Sequence, residues 1–315
     1  MSRLLFKVIE DPAEAKVFWD LFSPKKTIDD EWDFRDIWTK SYNFPFHFIV
    51  GFDGEKPVGL LPLQRNTLKG LSPKLLAMDV PFLEFFAGLD TDNNRVFINK
   101  EYENCIPQFL QEIKEPTVLS SLKEPCLVDG KEAEHYLYRY ELDLVKLPTF
   151  ESFMQTNLDG VSRQRLINRL NKIDKTYKAE IRDGGKEDLE RMFQLSIERF
   201  GERSSFNMPD RQQIYRELLE RFDVDLMTIV LDNEVKAVSF AIVHNGTYTT
   251  INVGYDYDVR DLSKLLVVTQ IKRAMDKKST VFDAGQGDNG WKEHFNLTKI
   301  PQYKLVLNYT PKETI

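Results

Sequence analysis

The chain has 315 residues, 42% of them apolar and 30% charged, with a formal net charge of -7. That length is comfortable for two cores and long for one, and the composition is that of a folded globular protein, excluding collagenous, coiled-coil and wholly disordered classes. The acidity argues against nucleic-acid binding by the whole surface but leaves room for a local basic face. Cys105 and Cys126 are the only cysteines, too few and too far from ligand-spaced histidines for a metal site or a disulfide framework, so a reducing compartment and no metal are expected. The N-terminus has no signal-peptide pattern and nowhere do 18 apolar residues run together, so the expectation is a cytoplasmic protein without a membrane span.

Helical patterns are expected around Pro12 to Phe22 and Ile28 to Thr39, with Trp19, Trp32 and Trp38 supplying core bulk. From Phe46 to Arg65 the pattern is a β-hairpin turning at Asp53-Gly54. Residues 72–98 read as apolar and irregular, Tyr102 to Ile113 as a helix, and Val118 to Leu122 and Tyr136 to Leu144 as strands. The cluster Phe82, Phe85, Phe86 with Glu84 reads as core, or as the wall of a groove. After Leu147-Pro148 the pattern resets, placing a domain boundary between residues 147 and 148.

The second part is expected to hold helices at 149–156 and 162–176, a strand at 177–182, and helices at 186–200 and 209–221. A meander follows, Leu226 to Leu231, Val235 to His244 and Tyr248 to Tyr255, turning at Asp232-Asn233 and Asn245-Gly246. A helix from Ser263 to Lys277, a strand Thr280 to Ala284, a Gly-rich turn, a short helix Asn289 to Phe295 and a last strand Gln302 to Tyr309 complete the chain. Ile49 to Leu63 faintly echoes Ile229 to Ile242.

The stretch Tyr255 to Ser263, the turn Asp283 to Asp288 and the pair Trp291-Lys292 resemble the GNAT branch linked to cellulose and exopolysaccharide biosynthesis, which is akin to the Fem peptidyltransferases. The resemblance extends to Arg165, Arg169, Arg199-Phe200 and the Gly59 to Leu63 run. It implies an α/β (α+β) protein of two tandem GNAT-like domains with a cleft between them, each a mixed, mostly antiparallel sheet flanked by helices. Residues 1–147 would be a degenerate domain walling the substrate cleft, and 148–315 the acyltransferase domain. Acyl-CoA is the implied co-substrate, and an amine on a sugar, peptide or small metabolite the acceptor. A Fem-like use of aminoacyl-tRNA and a non-catalytic GNAT-fold binding protein are the alternatives.

Acyl transfer needs backbone donors for a carbonyl, a deprotonated nucleophile and a proton for the leaving group. In such a fold the donors come from splaying the strands at 248–255 and 280–284, where Gly254 suits close approach by a ligand or marks a bulge. Asp283 and Asp288 flank the Gly-rich turn as base or amine anchor, with Asp288 also suited to an N-cap. Lys292 and Trp291 follow as substrate contacts. The tyrosine that many such enzymes carry on the last helix is missing, which leaves Tyr255 and His294 as candidate acids. For the cofactor, Arg260, Ser263 and Lys264 stand at the start of the helix where a pyrophosphate is favoured, although Lys264-Leu265 replace the Pro-Gly pair of relatives; a plain Ser263 cap explains the same residues. Arg165 and Arg169 lie on the basic face of helix 162–176, opposite Leu166, Ile167, Leu170 and Ile173, a face suited to a phosphorylated substrate or to tRNA.

Overall fold

The computed structural model describes residues 3–67, 80–288 and 290–309. It divides into two compact units, Met1–Tyr138 with Pro301–Ile315, and Arg139–Ile300. Residues 72–79 of the stretch expected to be irregular, and Asn289, lie outside the described residues; residues 80–98 contain two strands. No helix among the described residues is long and apolar enough to cross a membrane.

The first unit runs β1 (Leu5–Ile9), α1 (Pro12–Phe22), α2 (Trp32–Tyr42), β2 (Phe48–Asp53), β3 (Lys56–Leu61), β4 (Leu63–Asn66), β5 (Phe82–Phe85), β6 (Phe97–Ile98), α3 (Ile106–Gln111), β7 (Thr117–Leu122), β8 (Leu127–Val128), β9 (Lys131–Glu132) and the first half of β10 (Glu134–Asp143). Helix α1 begins where expected because Asp11 accepts the Glu14 amide and Pro12 stands at the first helical position, where its missing N–H costs nothing. The helix expected over 28–39 is instead a 3-10 turn, Ile28–Asp30, and then α2, broken at extended Glu31. The Asp30 carboxylate accepts the amides of Lys26 and Thr27, which caps the start of the 3-10 turn in a reciprocal box. One sheet has the order β1-β2-β3-β6, and within the other strand set β5 pairs antiparallel with β4 and parallel with β7. Trp19, Trp32, Phe46, Phe48, Phe86 and Phe97 close into one aromatic core, with the Trp32 and Phe46 rings stacked at 5.5 Å.

Arg35 and Glu84 are among the charged groups buried in this unit. Arg35 donates to the carbonyls of Asp29 at 2.5 Å and Phe86 at 2.6 Å and to Asn94 at 2.9 Å, while burial pulls its pKa down to about 10, so it remains a cation at neutral pH. Glu84, in β5, accepts from Gln64 at 2.9 Å and Asn66 at 3.1 Å through one oxygen, and its other oxygen has no partner among the described residues. Phe82, Phe85, Phe86 and Glu84 are all core, which decides between their two readings. Burial pushes the Glu84 carboxyl up to about 7, the two amide donors opposing. An unfolded Glu titrates near 4.5, so the native state binds the extra proton between these values, and stability is lost as pH rises from about 4.5 to 7. Glu84→Gln is expected to remove that slope, with up to about 3 kcal/mol gained at pH 8 and little at pH 4.5; urea unfolding at the two pH values checks it.

The second unit takes residues 139–143 of β10 and continues through α4 (Phe150–Asn157), α5 (Gly160–Thr176), β11 (Ala179–Asp183), α6 (Lys186–Phe200), α7 (Pro209–Arg221), β12 (Val224–Leu231), β13 (Glu234–His244), β14 (Thr247–Tyr255), α8 (Leu262–Asp276), β15 (Val281–Gln286), α9 (Trp291–His294) and the start of β16 (Thr298–Leu307). Its sheet order is β11-β12-β13-β14-β15-β10, all antiparallel except β14 with β15. The turns at Asp232-Asn233 and Asn245-Gly246 have positive φ at both central residues, the geometry that matches strand twist. By contacts the units divide between residues 138 and 139, within β10, whose residues 139–143 pair with β15 of the second unit. The end of β16 pairs with β7, which puts Pro301–Ile315 in the first unit. Helix α5 is more exposed than its pattern predicts: Leu166 and Ile173 are buried and Leu170 packs beside them, but Ile167 is 36% exposed.

Candidate active site

Strands β14 and β15 pair in parallel for three residues only, Thr247↔Val281 to Thr249↔Asp283. Beyond that point β14 continues to Tyr255, still held on its other side by β13. Where they part, the β13 register shifts from Ala241↔Thr250 to Phe240↔Asn252, leaving Ile251 as a bulged residue. Residues 250–253 and Tyr255 are half-buried, and the Thr250 hydroxyl is buried without a hydrogen-bond partner among the described residues. This is the splayed pair expected from sequence, a stretch of backbone that can bond an extended guest.

Gly254 within it is approached closely, by protein. A Cβ there would lie 2.5 Å from the Met192 carbonyl oxygen of α6. Helix packing is thus the reason for the glycine, in place of the bulge or ligand contact read from sequence. Gly254→Ala is expected to destabilise by about 1–3 kcal/mol through displacement of α6, read as a lower urea midpoint.

At the far side of the splay, Asp283 is fully buried and accepts from both donors of the Nε–Nη2 edge of the Arg139 guanidinium, the Nε bond being 3.1 Å, together with the Gly285 amide at 2.9 Å. The register slips between Arg139↔Gln286 and Glu141↔Asp283, so that Ala284 and Gly285 of β15 bulge opposite Tyr140 and neighbouring side chains reach this turn. The Tyr140 hydroxyl donates to exposed Asp288 at 2.9 Å, and burial, with the Asp288 charge, raises its pKa. Lys292 is 2% exposed. Its ammonium donates to the carbonyls of Gly285 at 2.8 Å and Gln286 at 2.6 Å and lies 4.9 Å over the Tyr140 ring. The turn can present these carbonyls inward because Gly285 takes φ 67°, a conformation that favours glycine. Asp283 and Lys292 therefore hold the Gly-rich turn together. Neither stands open to substrate as the sequence reading expected, because an isolated charge on a buried side chain is too costly to leave unpaired.

The other candidates fall into separate groups. Asp288 is not a helix cap: Gly290 occupies that position in α9. His294 is exposed, Trp291 is half-buried and packs edge-on against Phe295 at 6.2 Å, and Arg165 is exposed on α5. Helix α8 opens at Leu262 with Asp261 as its cap, so Ser263 sits inside the first turn and is not the cap. Asp261, in the left-handed region at φ 65°, draws three of the expected ligand-binding cations onto its own carboxylate: Lys264 at 2.8 Å, Arg169 at 3.6 Å and Arg260 at 3.7 Å. Burial raises its pKa, but Lys264, Arg169 and Arg260 outweigh burial and hold it below the ordinary value.

Arg139, Tyr140 and Asp261 were not singled out from sequence. The signal for Arg139 is an arginine interrupting the aromatic run Tyr136 to Tyr140, since a charge on a covered strand demands a carboxylate. Asp261 lies within the stretch Tyr255 to Ser263, and its charge bears directly on any phosphate at that helix start.

Residues 161–293 match the family described as an acetyltransferase (GNAT) domain. No curated protein matches the chain in sequence. Among solved structures, FemX shares 10% identity, covering 96% of this chain and 98% of its own, with a TM-score of 0.59. A tandem GNAT protein from the clavulanic acid biosynthesis pathway shares 9%, covering 98% and 100%, with a TM-score of 0.55. L-PGS from Bacillus licheniformis shares 11%, covering 96% and 93%, with a TM-score of 0.55. At such identities the likeness is one of fold. The chain thus has a mixed α/β fold similar to that of tandem GNAT proteins. Its second unit carries a GNAT-fold acetyltransferase domain.

Proposed function

We propose that the second unit is an N-acyltransferase that moves an acyl group from acyl-CoA to an amine of a sugar, peptide or small metabolite. The observation that carries this reading is the divergence of β14 from β15 directly after Thr249↔Asp283, with the Ile251 bulge beside it. The open edge of β14 offers backbone N–H groups to a pantetheine arm and to the oxygen that becomes negative during transfer. Acyl-CoA would supply an activated thioester carbonyl there. Arg260 and Lys264 at the start of α8 would meet its phosphates.

With Asp283 and Lys292 committed to the turn, Asp288 is the carboxylate left to deprotonate or anchor the amine, oriented by the Tyr140 hydroxyl. Tyr255 ends the open strand, and burial lifts its pKa above that of a free phenol, the Arg199 charge pulling the other way. It therefore holds its proton at neutral pH and suits the role of acid toward the leaving thiolate. Calorimetric titration with acetyl-CoA and free CoA tests the reading. Micromolar binding is expected, together with a loss of roughly 100-fold in kcat for Tyr255→Phe at unchanged CoA affinity; absence of CoA binding overturns it.

A second reading, transfer from an aminoacyl-tRNA as in the Fem group, is favoured by Asp261. A carboxylate already occupies the α8 start where a pyrophosphate would sit, while the exposed face of α5 carries Arg165, Lys172 and Lys175 outward. Asp261→Asn separates the two. Tighter CoA binding in this variant supports the first reading, and a salt-sensitive tRNA gel shift without CoA binding supports the second.

A further inference from the structure

Where α6 ends beside the end of β14, three aromatic rings gather on one arginine. The Arg199 guanidinium carbon lies 4.6 Å from the Phe200 ring, 4.8 Å from Tyr255 and 4.6 Å from Tyr257. The two tyrosine rings are stacked, with centroids 5.8 Å apart. This group is at the surface: Arg199 is exposed, Phe200 is 43% exposed and Tyr257 66%. The acidic residues nearby have cations of their own, Glu198 with Arg191 at 2.7 Å and Asp256 with Lys236 at 3.1 Å. Among the described residues no carboxylate pairs with Arg199.

Rings covering the faces of a guanidinium fix the direction of its in-plane N–H donors; one of these in Arg199 is given to the Tyr255 hydroxyl, and the others are its remaining bonding capacity. Such a fork matches the two oxygens of a carboxylate or phosphate. A plain solvated arginine needs no aromatic cradle, and ordering three large side chains around an exposed charge costs conformational freedom. The cradle includes Tyr255, the last residue of the strand on which the proposed acyl seat is built.

We propose that Arg199, held by Phe200, Tyr255 and Tyr257, is the seat for an oxyanion of the acceptor, a carboxylate or phosphate borne by the same molecule as the reacting amine. This rests on the acyltransferase reading and narrows its substrate class to amines that are also anions. Polyamines and uncharged amino sugars are disfavoured, since neither offers the fork an acceptor.

The test is direct calorimetric binding, without donor, of three probes to the full chain: glucosamine 6-phosphate, L-serine and glucosamine. Acetyl-CoA is titrated separately. At least one of the two anionic probes is expected to bind ten-fold or more tightly than glucosamine. Arg199→Ala is expected to abolish that preference with acetyl-CoA binding and melting temperature unchanged, and Arg199→Lys to restore only part of it, because an ammonium lacks the fork. Tyr257→Ala, which releases the guanidinium face, is expected to fall between. Equal binding of all three probes, no binding of either anion, or an unaltered preference in Arg199→Ala overturns the proposal. If acetyl-CoA binds and the anion preference is absent, the oxyanion seat is wrong and the acyltransferase reading stands. If the anion preference is present and lost in Arg199→Ala while acetyl-CoA fails to bind, the seat stands and the donor is wrong.

Discussion

Arg139→Met is expected to lower the stability of the second unit by about 3–5 kcal/mol, because it leaves the Asp283 carboxylate buried with no opposite charge. Both side chains are at most 2% exposed, so water cannot take the place of the guanidinium without opening the sheet between β10 and β15. The partner change, Asp283→Asn, leaves Arg139 with only the half-buried Glu141 carboxylate at 3.4 Å and is expected to cost less. The double variant Arg139→Met/Asp283→Leu removes both charges and is expected to recover most of the loss, because apolar pairs of similar volume replace buried ion pairs at little or no cost. Urea unfolding of the four proteins closes the cycle. Were Asp283 instead the general base, Asp283→Asn would leave the unfolding midpoint in place and remove only activity.

Lys292→Ala carries the second large effect. The ammonium satisfies two carbonyls inside the Gly-rich turn, and each left without a donor costs about 1–3 kcal/mol. A loss of about 3 kcal/mol is expected after partial relaxation, a fall in melting temperature of roughly 6–12 °C for a unit of this size. The same lysine lies over the Tyr140 ring, and Tyr140 orients Asp288. Transfer activity is therefore expected to fall with the turn's order. A melting temperature unchanged in Lys292→Ala would return the lysine to the role of substrate contact.

Comparison of Asp283, Lys292 and Asp288 shows what residue identity conveys and what it leaves open. Their positions around a turn at the end of a strand were legible, because Gly285, Gly287 and alternating apolar residues mark where the strand stops. Which of the three is exposed was not, since that depends on β10, distant in sequence, delivering Arg139 and Tyr140 to the turn. Gly254 is a similar case: the need for close approach was legible, and only the packing of α6 shows that Met192 is what approaches.

The elements of the second unit were largely determined by sequence, since Asn245-Gly246, the alternating runs of β12 to β14 and the Pro209 start of α7 act locally, through turn φ angles, side-chain period and capping. The first unit was less legible. Strand β5 carries Phe82, Leu83, Glu84 and Phe85 buried on both faces, so it shows no alternation, and β1 is a short strand adjoining a helix. Sequence also determined the basic character of α5 and the absence of a glycine at the α8 start. Only the tertiary structure decided that Arg169, Arg260 and Lys264 meet on Asp261, and that Arg199 is enclosed by Phe200, Tyr255 and Tyr257. Charges and rings become a site through distances of a few ångströms between elements far apart in the chain, and those distances are set by packing, which no local pattern encodes.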